Sequence, residues 1–155
     1  MIYPHRFYHR QESSGIVPLY LEKEFRWQHD PVKFTGRWDR IDALDKGAVI
    51  IDYKATSVKD QKEADKRARE SLQMDLYALS FAKTQDLPLM EIQLYFLESD
   101  IIGHAEKGQK EQARAMEKIE AAEAGIKRED YRAKPDWHNC NFCDFKTICP
   151  DSFAY

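Results

Sequence analysis

From residue 18 to residue 55 apolar and polar side chains alternate with a period of two, and from about Asp65 to Lys83 the period lengthens to that of a helix. A chain in this order lays down strands first and packs a helix on them afterwards. In PLYLEKEFRWQ, 18–28, Leu19, Leu21, Phe25 and Trp27 share one face, with Tyr20, Glu22, Glu24 and Arg26 on the other, as in a half-buried strand. His29-Asp30-Pro31 marks a turn. VKFTGRWDRIDAL and AVIIDYKA then flank Asp45-Lys46-Gly47 as two antiparallel strands, completing a three-stranded meander.

In the helical stretch Ala68, Leu72, Leu76 and Leu79 stack along one stripe beside a polar one of Lys66, Arg69, Gln73 and Tyr77. Met74, Ala78 and Phe81 lie on a further side, so this helix is expected to be central and covered on more than one face. LMEIQLYFL, 89–97, is apolar enough for a strand buried on both faces. A second amphipathic helix is expected from Lys107 to Ala124, burying Ala113, Met116 and Ile119 and ending at Gly125. The order is β-β-β-α-β-α, with residues 1–135 as one domain and 136–155 as its short cysteine-bearing tail.

A length of 155 residues suits one domain. Hydrophobic residues at 43% and charged ones at 33% fit a globular protein rather than a disordered or membrane-embedded one. No apolar run reaches the length of a bilayer span and MIYPHRFYHR lacks the apolar stretch of a signal peptide, so no membrane partner and a cytoplasmic location are expected. The net charge of −3 carries no signature of nucleic-acid binding and does not exclude it, since a local basic face can coexist with an acidic site.

The hairpin at 36–55 places Asp39, Asp42, Asp52 and Lys54 among residues that read as buried. Residues two apart on a strand share a face, so Asp52 and Lys54 stand side by side while Ile51 and Tyr53 point the other way. A two-residue loop at Asp45-Lys46 pairs Leu44 with Gly47 and sets Asp39 opposite Asp52. Two carboxylates within about 5 Å repel unless a cation lies between them, and hard divalent ions favour oxygen ligands. A three-residue loop with Gly47 left-handed instead pairs Arg40 with Asp52 and turns Asp42 toward that face. The bland alternative is a solvated outer face, its acids paired with Arg37, Arg40 and Lys54.

The series GRWDRID, IDYK and QMDLYAL resembles that of the PD-(D/E)XK nucleases, in particular the RecB-like branch of helicase-nucleases and CRISPR-associated nucleases. That branch carries G-x-x-D, D-Y-K and Q-x-x-x-Y in this order, here Gly36 to Asp39, Asp52 to Lys54, and Gln73 to Tyr77, and the likeness extends from about residue 17 to the end. The resemblance implies an α/β restriction-endonuclease-like fold, a mixed central sheet flanked by helices. It implies Mg²⁺ or Mn²⁺ held by Asp39 and Asp52, with Lys54 on the attacking water or the scissile phosphate and products ending in 5′-phosphate and 3′-hydroxyl. Gln73 and Tyr77, one helical turn apart, would position the DNA backbone, and Glu22 on the first strand would contribute to the site. It further implies a helicase domain or subunit as partner in DNA repair or recombination, this chain being the nuclease part of a longer helicase-nuclease or a shortened stand-alone member. A catalytically silent DNA-binding or structural module of a helicase complex is the competing function.

Members of this branch commonly carry a histidine ligand on a helix before the first strand. The chain is expected to start too close to that strand to contain the helix, leaving His5 and His9 as exposed terminal histidines. The tail NCNFCDFKTICP sets Cys140, Cys143 and Cys149 in a C-x2-C-x5-C pattern that resembles the end of the iron-sulfur staple of RecB-like nucleases. A [4Fe-4S] cluster would need its fourth ligand from outside this chain; His138 could instead complete a Cys₃His zinc site, and free thiols with Phe142 and Phe145 packed on the domain are the alternative. Lys59, Lys62, Lys66, Arg67 and Arg69 are candidate phosphate contacts, with Asp60, Glu63, Asp65 and Glu70 interspersed.

Overall fold

The computed structural model describes residues 3–29 and 31–153; for residues 3–6 and 11 the side chains lie outside this description, as does Asp30 of the expected turn. The elements run α1 (Tyr3–Ser14), β1 (Tyr20–His29), β2 (Val32–Leu44), β3 (Gly47–Lys54), α2 (Gln61–Glu70), α3 (Leu72–Thr84), β4 (Leu89–Phe96), β5 (Ile101–Ala105), α4 (Gln109–Lys127) and α5 (Trp137–Asn141). The chain divides into two compact units, Met1–Ile119 and Glu120–Tyr155.

In the first unit the sheet has the order β1-β2-β3-β4-β5, antiparallel throughout except for β3 and β4, which run parallel. Parallel neighbours need a long crossover, and α2 and α3 supply it. β3 is buried over Gly47–Asp52 because both its faces are covered. On one face Ile50, Ile92, Leu94 and Phe96 pack with Ala64, Ala68, Met74, Ala78 and Phe81 of α2 and α3. On the other, Val49, Ile51 and Tyr95 meet Phe7 of α1.

Helix α1 corrects the expectation that no helix precedes the first strand. Phe7 packs edge-on against Tyr53 with ring centroids 5.4 Å apart, and Arg10 reaches Asp100 at 3.1 Å while lying over the Tyr95 ring. His9 is exposed, and the His5 side chain lies outside the described residues.

The alternation read along β1 also needs correction. Tyr20 and Phe25 pack on the same core, as do Trp38 and Ile41 of the partner strand, although odd spacings on a regular strand point to opposite faces. Both strands therefore change parity at one place, between the pairs Leu21↔Arg40 and Lys23↔Trp38. Glu22 there takes a left-handed backbone, φ 49°, uncommon for a residue with a Cβ. Leu19 and Leu21, expected inside with Phe25, are exposed.

The expected single helix over Asp65–Lys83 is two helices broken at Ser71. Ser71 has an extended backbone and its hydroxyl accepts the Met74 N–H; such a cap competes with helix continuation. Leu72, placed on the apolar stripe, is exposed at the break. Helix α4 runs past Gly125 to Lys127, and in its first half Ala115 is buried, Met116 and Ile119 are partly buried and Ala113 is exposed. Strand β5, absent from the sequence reading, pairs antiparallel with β4.

In the second unit Asp136 caps α5 by accepting the Asn139 N–H at 2.8 Å, and turns follow through the cysteine segment. Within this unit Phe142 and Phe145 are not buried. No helix among the described residues is long and apolar enough to cross a membrane.

Helix α2 lies so close to β5 that a Cβ on Gly103 would sit 2.2 Å from the Ala64 carbonyl oxygen. Gly103→Ala must push backbone against backbone, and is expected to cost about 1–3 kcal/mol of stability, measured as a fall in the urea midpoint with unchanged slope.

Candidate active site

The site is built where β3 ends. Parallel pairing of Asp52 with Leu94 and Lys54 with Phe96 fixes this end of the strand in the sheet. Alternation turns Asp52 and Lys54 to the face covered by α3, while Ile51 and Tyr53 face α1. The cap at Ser71 starts α3 so that Gln73 and Tyr77, one turn apart, meet them. The Lys54 ammonium lies 2.7 Å from Asp52 Oδ2 and donates to Gln73 Oε1 at 2.8 Å. Gln73 Nε2 donates to Asp52 Oδ1 at 3.3 Å and to the Tyr77 hydroxyl at 3.1 Å. The glutamine amide thus bridges both members of the strand pair and the tyrosine.

The hairpin register resolves the geometric choice that spacing left between the two loops. Leu44 pairs with Gly47, and the ladder runs to Arg40↔Ile51, so the loop is the two-residue one and Asp39 falls beside Asp52. The ladder stops there because the Asp39 carboxylate takes over as acceptor: the Tyr53 N–H donates to Asp39 Oδ2 at 2.9 Å. Asp42 is buried away from the site with the Arg40 guanidinium, Nε to Oδ1 at 2.6 Å. Glu22 stands across from Asp39 by register, but its carboxylate is engaged by Arg37 at 2.9 Å.

Asp52 is 2% exposed, whereas about a third of the Lys54 side chain remains accessible. The 2.7 Å ion pair lacks hydrogen-bond alignment, and Asp52 Oδ2 is left buried without a hydrogen-bond partner. Burial raises the Asp52 pKa from its ordinary value; Lys54 opposes the shift and the nearby charge of Asp39 adds to it. Burial likewise raises the Tyr77 phenol, against its bond from Gln73, so it is a neutral hydroxyl at physiological pH.

Two carboxylates, one of them buried with only the Lys54 ammonium against its Oδ2, fit the donor set of Mg²⁺, which is commonly held by one or two carboxylates together with water and substrate phosphate. Among the described residues no group of three or more histidine, cysteine, aspartate or glutamate side chains gathers to hold a metal. Cys140, Cys143 and Cys149, all in the second unit, are free thiols that form no such group. Lys59, Lys62, Lys66, Arg67 and Arg69 are exposed, with Arg67 paired to Glu63 at 2.7 Å.

The sequence profile of the PD-(D/E)XK nuclease superfamily matches residues 3–150. The chain belongs to this superfamily. Its mixed five-stranded sheet flanked by helices is the restriction-endonuclease-like α/β fold. The crystal structure of SSO0001 is similar at 16% identity and a TM-score of 0.49, over 95% of this chain and 67% of that one. No curated protein matches the chain.

Sequence reasoning missed the groups behind this nuclease-family site. Asp75, between Gln73 and Tyr77, is fully buried and held by Lys107 and Arg114. The signal was present: an acid inside MDLYALSF, an otherwise apolar run, needs a buried partner.

The raised Asp52 pKa fixes a pH dependence. Between the ordinary value of 3.8 and the raised one, the folded state holds a proton that the unfolded chain has released, so stability falls as pH rises through this window. Asp52→Asn should therefore stabilise the metal-free protein at neutral pH by about 1 kcal/mol, with the gain shrinking below the window. Unfolding midpoints of parent and variant in chelator across pH check this; a gain over the parent no larger at neutral than at acid pH would contradict it.

Proposed function

We propose that the protein is a divalent-metal-dependent deoxyribonuclease of the RecB-like branch. The convergence of Asp52, Lys54, Gln73 and Tyr77 at one accessible strand end, beside Asp39, carries this reading. Asp39 and Asp52 would hold Mg²⁺ or Mn²⁺, which supplies Lewis acidity against the negative charge of the scissile phosphate. Lys54 extends its accessible ammonium to the attacking water or to a phosphate oxygen, giving a positive contact that strengthens as charge grows there. Gln73 keeps that ammonium and the Asp52 carboxylate in fixed relation, and the neutral Tyr77 hydroxyl hydrogen-bonds the DNA backbone. Glu22 is assigned a supporting role across from Asp39. Hydrolysis leaves 5′-phosphate and 3′-hydroxyl ends.

The order G-x-x-D, D-Y-K, Q-x-x-x-Y supports the RecB-like assignment, and with it a helicase domain or subunit as partner in DNA repair or recombination, in the cytoplasm. The divalent ion is assigned to Asp39 and Asp52, whose carboxylate oxygens are the hard donors that Mg²⁺ and Mn²⁺ take. The small donor set among the described residues favours one second reading, a catalytically silent DNA-binding module.

Cleavage of labelled single- and double-stranded DNA separates the two. With Mg²⁺ or Mn²⁺ the protein should cut DNA, and Asp52→Ala and Lys54→Ala should each lower the rate by about 10²-fold or more. Absence of cleavage, together with unchanged DNA binding in both variants, would establish the silent module instead.

A further inference from the structure

Asp75 lies two residues after Gln73 and two before Tyr77. Two residues are about 200° around a helix, so α3 presents the Gln73–Tyr77 pair on one side and Asp75 on the opposite side. Asp75 is fully buried. Its Oδ1 accepts from the Lys107 ammonium at 2.7 Å, and its Oδ2 accepts from Arg114 Nε at 2.9 Å and from Arg114 Nη2. The same Lys107 ammonium, with a side chain 1% exposed, donates to the Arg69 carbonyl at 2.7 Å. Arg69 is the penultimate residue of α2, so its carbonyl is one that the helix itself leaves without a partner. One buried cation thus ties the end of α2 to the first turn of α3 across the break at Ser71.

We propose that Asp75, Lys107 and Arg114 form a positioning device: they set the direction and rotation of α3 at its break with α2, and so hold the Gln73 carboxamide between Lys54 and Asp52. Core packing of Met74, Ala78 and Phe81 holds α3 on the sheet, but at the break itself the Ser71 hydroxyl, 3.4 Å from the Met74 nitrogen, is a weak cap, and the buried tie adds the direction in which α3 leaves it. Buried ion pairs add little net stability over an apolar filling of the same volume, which fits a role in geometry rather than in folding. The three are positioning residues that act through Gln73. The inference rests on Gln73 belonging to the active site proposed above.

Lys107→Met alone leaves Asp75 with a single partner and is liable to unfold the chain. The paired variant Asp75→Leu/Lys107→Met removes the acid and the shared cation together and is expected to stay folded, with a melting temperature close to that of the parent. In the paired variant nitrogen-15 NMR should find the Gln73 carboxamide protons exchanging with water about tenfold faster, and cleavage should lose about tenfold or more in kcat with KM little changed. Placed on a Gln73→Ala background, the pair should cost no further kcat. A folded paired variant with unchanged Gln73 exchange, or with an equal loss on the Gln73→Ala background, would overturn the proposal. Should the parent itself fail to cut DNA, the nuclease reading falls, while the exchange measurement still decides whether the buried triad orients Gln73.

Discussion

Parallel pairing of β3 with β4 is the constraint from which the rest of the first unit follows. It obliges the chain to leave the sheet after Lys54 and return at Leu89, and α2 and α3 fill that excursion. The crossover covers one face of β3 while α1 covers the other. A strand so enclosed must be apolar until its last residues, where the crossover departs and Lys54, paired with the buried Asp52, gains an opening. The ends of parallel strands are where α/β proteins place chemistry for this reason.

At that opening the electrostatics are unbalanced in the way a cation site requires. Two carboxylates and one ammonium stand close together, and the buried Asp52 Oδ2 has an ion pair but no aligned donor. The desolvation that makes Asp52 costly in the folded chain is the same quantity that would strengthen its attraction to a bound cation. Catalytic sites in general trade fold stability for such poised groups. Behind them lies the opposite arrangement, Asp75 with every oxygen engaged.

The site was legible where it depended on local spacing. Asp52 and Lys54 share a face on any strand, and Gln73 and Tyr77 share one on any helix, so the motif residues could be placed without tertiary knowledge. Spacing alone left Asp39 and Asp42 open because Asp-Lys-Gly suits two loops; the motif resemblance pointed to Asp39, and the hairpin register sets that residue across from Asp52. The break at Ser71 was hidden because apolar positions continue in helical phase on both sides of it, and one serine hydroxyl decides the matter. β5 was missed because Ile101–Ala105 is too short to show a period and carries Gly103. The parity change at Glu22 escaped because reading a strand by alternation assumes regular backbone throughout. The partners of Asp75 come from Lys107 and Arg114, more than thirty residues away, a distance over which no periodicity speaks.

The left-handed turn of backbone at Glu22 has a further consequence for β1 as the outermost strand of the sheet. An outer strand carries a row of unshared amide and carbonyl groups, which invites another chain to add alongside and start an aggregate. β1 is ten residues long, enough to template such growth if it were straight. The kink at Glu22 interrupts that row near its start, and Lys23, Glu24 and Arg26 add charge directly after it. The distortion that stands opposite Asp39 thereby also makes the β1 edge of the sheet a poor template for a further strand.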